Sequence, residues 1–160
     1  MNAEKEAQNL RALITLLRIV LGIILLVTWK KNFDDNLYTA DGIRGLFDWL
    51  FNTNNSGPGW YRAIINSTVL AAPGLFAGFQ MVAELLLGLG LLFGGLTRVA
   101  GIAAAIFFAN LYLSYLGGEE WIWTYVLLTA TALVVGLARS GRVFGIDQLL
   151  LKTRGESKFW

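Results

Sequence analysis

The sequence predicts an all-α protein, an integral membrane four-helix bundle with an extra outer amphipathic helix in its first loop. Three observations predict it. Of the 160 residues, 56% are hydrophobic and only 15% are charged, and the mean hydropathy of +0.57 lies well above that of a soluble domain. Several apolar runs reach about 18 residues, the length that crosses a hydrocarbon core. One of them, Phe79 to Arg98, carries an acid, Glu84, near its middle. An ionisable group at that depth is expensive unless a partner or water meets it, so the helix is expected to turn it toward the inside of a bundle.

The elements follow in order. Residues 1–11 form a short polar arm, helical and continuous with the first span, residues 12–29, which contains Arg18. No small-residue cleavage site follows this run, so a retained helix is expected rather than a removed signal peptide. Trp29, Lys30 and Lys31 close it as interface anchors. Residues 30–73 are the outer loop. Within it Ile43, Leu46, Phe47, Leu50 and Phe51 recur at helical spacing, with Asp41 the expected N-cap and the run 52–59 a terminating turn. With Trp49 alongside, this reads as a helix lying in the interface plane. Residues 60–72 are semi-polar and stop at Pro73, before which the α conformation is disfavoured.

The second, third and fourth spans cover residues 74–96, 99–116 and 121–138. Their links are so short that these three are expected to be successive antiparallel neighbours. Small residues four apart, Gly74 and Gly78, Gly90 and Gly94, Gly101 and Ala105, Ala132 and Gly136, allow backbones to approach closely in lipid. Residues 139–160 form a cytoplasmic tail, and residues 1–160 make a single membrane domain without internal repeats.

Charge placement sets the orientation. One side holds Lys5, Arg11, Arg98, Arg139, Arg142, Lys152, Arg154 and Lys158; the other holds Lys30, Lys31, Arg44 and Arg62, balanced by Asp34, Asp35, Asp41 and Asp48. The positive-inside rule places both termini in the cytoplasm, in the cell's inner (cytoplasmic) membrane. The net charge of +2 is no nucleic-acid footprint. Cys and His are absent, which excludes disulfides, thiolate ligands, imidazole-ligated haem and the common zinc sites. Redox chemistry would need a bound organic cofactor, a quinone or another subunit.

Among single residues Glu84 is the strongest candidate, as proton acceptor, quinone or substrate contact, or charge partner of Arg18, set against a structural acid that fixes helix packing. Gln80 shares its face one turn earlier. Arg18 leans toward the N-terminus, so snorkelling and pairing with Glu84 both stay open. Gln80 and Asn110 suit interhelical hydrogen bonds and, more rarely, a ligand contact. Arg98, beside Thr97 at a helix end, suits a headgroup or ligand contact. Phe107, Phe108, Tyr112 and Tyr115 offer a wall that fits a quinone or plain packing. No phosphate loop, nucleophile elbow, paired-carboxylate motif or metal-ligand set is present.

Four stretches then combine: Leu17-Arg18 with Gly22, Glu84 itself, the exit Leu89-Gly90 to Leu96-Thr97-Arg98, and the tail Gly141-Arg142-Val143-Phe144-Gly145-Ile146-Asp147. Together, over residues 13–150, they resemble the DoxX-like family, and within it the DoxD-type membrane subunit of thiosulfate:quinone oxidoreductase. The resemblance implies a four-helix membrane protein, electron delivery to membrane quinone beside a partner subunit, and Arg18 and Glu84 acting together. Glu84 and Arg18 are then the catalytic candidates, with Gln80, Asn110 and Arg98 as ligand contacts. No covalent or metal-bound cofactor is expected; the expected partners are a quinone, membrane lipids and another membrane or redox subunit. Without Cys, sulfur chemistry through a thiol cannot occur within the chain. The rival readings are a non-catalytic accessory subunit packed against a larger respiratory complex, and a small carrier of lipid or hydrophobic solute.

Overall fold

The computed structural model describes residues 3–159, with side chains from Lys5 onward. Regular structure among the described residues is entirely helical: α1 (Ala3–Asp34), α2 (Ala40–Asp48), α3 (Gly59–Ser67), α4 (Pro73–Phe93), α5 (Thr97–Tyr115), α6 (Trp123–Leu137) and α7 (Ile146–Arg154). A π-helical turn, Trp49–Thr53, extends α2, and a 3-10 turn, Ser140–Arg142, precedes α7. The predicted arm is helical from Ala3 and runs straight into the first span. Residues 1–2 of the arm and residue 160 of the tail lie outside the described residues.

Helices α1, α4 and α5 are long and apolar enough to cross a membrane. Helix α6 is also apolar but has 15 residues, which gives roughly 22 Å of helix at 1.5 Å per residue. Pro73 sits at the first helical position of α4, where its missing N–H costs nothing. At the other end of α4, Gly94 (φ 70) and Leu96 (φ 49) both take the left-handed conformation and reverse the chain into α5.

The outer loop corrects the expectation in three respects. Its first helix is capped by Thr39, whose hydroxyl accepts the Gly42 N–H at 3.0 Å; Asp41 sits inside the first turn and pairs with Arg44. The apolar stripe Ile43, Phe47, Leu50 and Phe51 is buried against Tyr61 and Ile65 of α3 and Ala77 of α4. That stripe therefore faces protein rather than headgroups, so α2 is a cap on the helices and not a helix lying on lipid. Residues 60–72 contain a further helix, α3. Its Tyr61 and Ile65, with Val69 beyond its end, recur every four residues and fill the same cluster.

Two close pairs make up the apolar body, α1 with α4 and α5 with α6. Glycine permits both. A Cβ on Gly22 would lie 2.6 Å from the Leu92 nitrogen, and one on Gly88 would lie 2.7 Å from the Leu26 side chain. Between α5 and α6, a Cβ on Gly101 would lie 2.5 Å from the Cα of Gly136, which joins two of the small-residue pairs expected from sequence. Gly74 and Gly78, also expected to serve this way, meet nothing closer than the Ala40 Cβ at 3.7 Å. Helices α4 and α5 touch far less than either pair, and a cleft opens between them.

Replacing Gly101 with Val should force α5 and α6 apart and lower stability by about 1–3 kcal/mol. Gly78→Ala, in open space, should leave the melting temperature in detergent unchanged. Equal melting of both variants would refute the close-approach account.

Candidate functional site

Polar groups inside this apolar body fall into three places. The first surrounds Glu84, which is 1% exposed. It accepts a hydrogen bond from the Tyr38 hydroxyl and one from the Asn32 amide at 3.4 Å, and the Gln80 amide stands beside it, one turn away on α4. Trp29 covers the group. Its indole N–H donates to the Met81 carbonyl at 3.0 Å, and its ring stacks on Phe33 at 5.5 Å and tilts toward Tyr38 at 6.5 Å. Among the described residues no Lys or Arg forms an ion pair with Glu84. Burial pushes the Tyr38 phenol above its ordinary value, and the bond to Glu84 pushes it further the same way.

The second place surrounds Arg18, also 1% exposed. Its guanidinium donates to the carbonyls of Ser140 at 3.2 Å and Phe144 at 2.6 Å. The joint action with Glu84 that the resemblance implies is not a contact. Glu84 stands opposite Asn32, and Arg18 lies fourteen residues back along α1, roughly 21 Å away at the helical rise. The reason is the direction of the side chain: it points toward the N-terminus of α1, and the tail is folded there to receive it.

Asp147, fully buried, completes this second cluster. Its carboxylate accepts the backbone N–H of Leu96 at 2.6 Å and of Thr97 at 2.8 Å, and also the Thr97 hydroxyl. Its own N–H donates to the Gly94 carbonyl at 2.9 Å. An acid from the tail thus caps the N-terminus of α5, where free N–H groups and the helix dipole favour negative charge. The Thr97 hydroxyl also accepts the Gly141 N–H at 3.1 Å. The glycines here leave the space: a Cβ on Gly145 would lie 2.9 Å from the Arg18 guanidinium, and one on Gly141 2.6 Å from the Asp147 carboxylate. Arg98 lies outside this knot and donates to the Lys158 carbonyl at 3.2 Å.

The third place is the cleft between α4 and α5, about 960 Å³ in volume. Its walls are apolar, with Ala83, Leu86, Leu87 and Phe93 on α4 and Val99, Ala103, Ile106 and Phe107 on α5. Leu46, Leu50, Ile65 and Val69 close it at the α2–α3 end, and Gly95, Leu96 and Ile146 at the other. Its polar side chains, Gln80, Asn110 and Ser114, gather toward the α2–α3 end. The helices approach at Gly90 and Ala100, and Gln80 on α4 and Asn110 on α5 line the cleft ten residues from that point. Asn110 is held from behind: the Tyr61 hydroxyl bonds its Oδ1 at 3.0 Å and the Ser114 hydroxyl at 2.7 Å. One polar edge of the amide is thereby left for the cleft. Burial also raises the Tyr61 phenol, against the opposing effect of these two bonds.

Of the five residues singled out from sequence, Gln80 and Asn110 line the cleft. Glu84 stands behind Gln80, outside the lining, and Arg18 and Arg98 hold the tail. Of the aromatic wall, Phe107 and Tyr115 line the cleft, and Phe108 is buried in the core between α5 and its neighbours. Tyr38 and Tyr61 went unmarked in the sequence. Tyr38 sits in a turn without periodicity, and nothing local announces its partner 46 positions on.

Two outcomes follow. The stabilising effect of neutral Tyr38 is complete below its ordinary value of 10.0 and is lost as pH climbs through the raised folded value. The melting temperature should therefore fall above about pH 10, and less steeply in Tyr38→Phe and Tyr61→Phe; parallel declines would contradict the burial of these phenols. Asp147→Ala strips the cap from α5 and should cost about 1–3 kcal/mol, with faster tryptic cleavage at Lys152 and Arg154 as the readout of a released α7.

The family model described as DoxX matches residues 13–115, from the first span to the end of α5. The matched stretch holds Arg18, Glu84, the Gln80 and Asn110 amides and Arg98, while Asp147 and the tail lie beyond it. No curated protein and no solved structure matches the chain. With more than half of its length matched, this membrane protein belongs to the DoxX family.

Proposed function

We propose that this DoxX-family protein is a quinone-linked subunit of a respiratory-type membrane oxidoreductase, of the thiosulfate:quinone type by resemblance. The single observation that carries the reading is the cleft: a long apolar trough with its polar amides gathered toward one end. A quinone has the matching division, an isoprenoid tail and a ring with two carbonyl acceptors. In this reading the tail lies along Leu86, Phe93 and Ile106, and the ring lies between Gln80 and Asn110. Phe107 and Tyr115 flank that level.

Reduction of the ring takes two electrons and two protons. The electrons come from a partner redox subunit, because the chain has no Cys, no His and no cluster of metal ligands among the described residues. Glu84 takes up or holds a proton behind Gln80, which is its one link to the cleft. Arg18 does not share this work; its role is to hold the tail. The remaining parts of the proposal are four membrane crossings, with α6 as the fourth, and both termini on the cytoplasmic face of the inner membrane. The charge asymmetry supports that orientation.

The test is quinone binding to the purified chain, followed by thiosulfate-dependent quinone reduction by the complex isolated in gentle detergent. Asn110→Leu and Gln80→Leu should each weaken quinone binding about tenfold, the equivalent of one hydrogen bond. Glu84→Gln should keep binding and lose most of the reduction rate. Co-purification with oxidase subunits at full activity in all three variants would instead identify an accessory subunit, and binding of lipid without redox turnover would identify a carrier.

A further inference from the structure

The two ends of the molecule carry their cations differently. At the α2 end, Lys30 pairs with Asp34, Lys31 with Asp35 and Arg44 with Asp41. At the α7 end, Arg142 pairs with Glu156, Asp147 is buried as the cap of α5, and Glu6 stands exposed on the first turns of α1. Among the described residues Arg139, Lys152, Arg154 and Lys158 have no acid within ion-pair distance. Lys152, Arg154 and Lys158 are exposed.

Depth is fixed by the cap. Because Asp147 binds the N–H groups of Leu96 and Thr97, the start of α7 is pinned at the level where α4 ends and α5 begins. That level is the edge of the apolar belt. Around it Phe144, Ile146 and Leu149 are 66%, 46% and 60% exposed. Leu149 stands on the exposed face of α7, while Asp147 faces inward. Apolar side chains and unpaired cations at the rim of a membrane-crossing body are the arrangement of a helix that lies in the interface.

We propose that α7 and the segment around it dock on the anionic phospholipid headgroups of the leaflet on their side. Phe144 and Leu149 enter the acyl boundary, and Lys152, Arg154 and Lys158 meet the phosphates. The interfacial helix that the sequence suggested at residues 41–51 is thus found at the opposite end of the chain. The occupant is a lipid with net negative charge, since zwitterionic headgroups would leave four cations uncompensated.

Full-length protein reconstituted in nanodiscs of mixed phosphatidylglycerol and phosphatidylcholine tests this, with native mass spectrometry of the lipids that stay bound. The wild type should retain phosphatidylglycerol in excess, and Lys152→Gln with Arg154→Gln should lower that excess about tenfold or more. The double variant should melt as the wild type does in pure phosphatidylcholine, because neither side chain has an internal partner. Raising salt to about 1 M should erode the wild-type excess, a measurement that needs no variant. Equal retention of the two lipids by the wild type, an excess unchanged in the double variant, or one insensitive to salt would each overturn the proposal.

Discussion

A guanidinium buried to 1% exposure in an apolar body must find acceptors, since an unmet charge there costs several kcal/mol. For Arg18 the acceptors are the carbonyls of Ser140 and Phe144, more than 120 residues away in sequence. Meeting that demand shapes the lower end of the molecule. The chain after α6 has to fold back under α1, which it does through a left-handed Arg139 (φ 49) and a 3-10 turn. It has to pass close to the α4–α5 link, which only glycines at positions 94, 141 and 145 allow. Once there, Asp147 sits beside the open N-terminus of α5 and caps it. Ile146, its neighbour, becomes part of the floor of the cleft. The shape of the cleft thus depends on a polar requirement on the far side of α4.

The cleft itself follows from where glycine was placed. Gly22 and Gly88 draw α1 and α4 together, and Gly101 and Gly136 do the same for α5 and α6. Between α4 and α5 the contact is made at Gly90 and Ala100, near the reversing link. Farther along, Phe79 and Leu86 on α4 and Ile106 and Phe107 on α5 line the gap between the helices. In water such a gap would collapse. In lipid there is no hydrophobic penalty for leaving it open to acyl chains, so a trough can persist as a feature of the native fold.

Much of this was legible in the chain, and the parts that were not share a cause. The spans showed themselves through hydropathy, and their ends through Pro73 and the glycine-rich links, because these are local signals. The inward turn of Glu84 followed from the cost of the alternative. Its partners did not, because Tyr38 and Asn32 flank the end of α1 and reach Glu84 only through the register of α1 on α4. For Arg18 the sequence left snorkelling and pairing with Glu84 both open, and only the register shows the two roughly 21 Å apart along the helices. The cap of α5 was hidden most completely, since the obvious place to look for a capping side chain is the residue before the helix. That residue is Leu96, and the acid that does its work lies 51 positions on. Helix α3 was missed although Tyr61, Ile65 and Val69 repeat every four residues, because it is only nine residues long, no side chain caps its start, and Arg62, Asn66 and Ser67 interrupt its apolar residues.

Separating the two buried charges has a consequence for how the acid can matter. Had Arg18 paired with Glu84, the carboxylate would be neutralised and fixed, and the region would be structural. Instead, among the described residues, Glu84 is met by groups that are neutral in their ordinary state: a phenol, an asparagine and a glutamine. Such partners can rearrange around a carboxyl group without exposing an unpaired charge, because hydroxyl and amide groups can both donate and accept. Two of them, Tyr38 and Asn32, belong to the end of α1 and the turn after it, on the side of the outer cap. The third, Gln80, belongs to the cleft. The acid is therefore set between the α2–α3 end of the molecule and the trough, with Gln80 on the trough side. Under the proposed function, a change at Glu84 would reach a quinone in the cleft through this one amide, while Tyr61 holds Asn110.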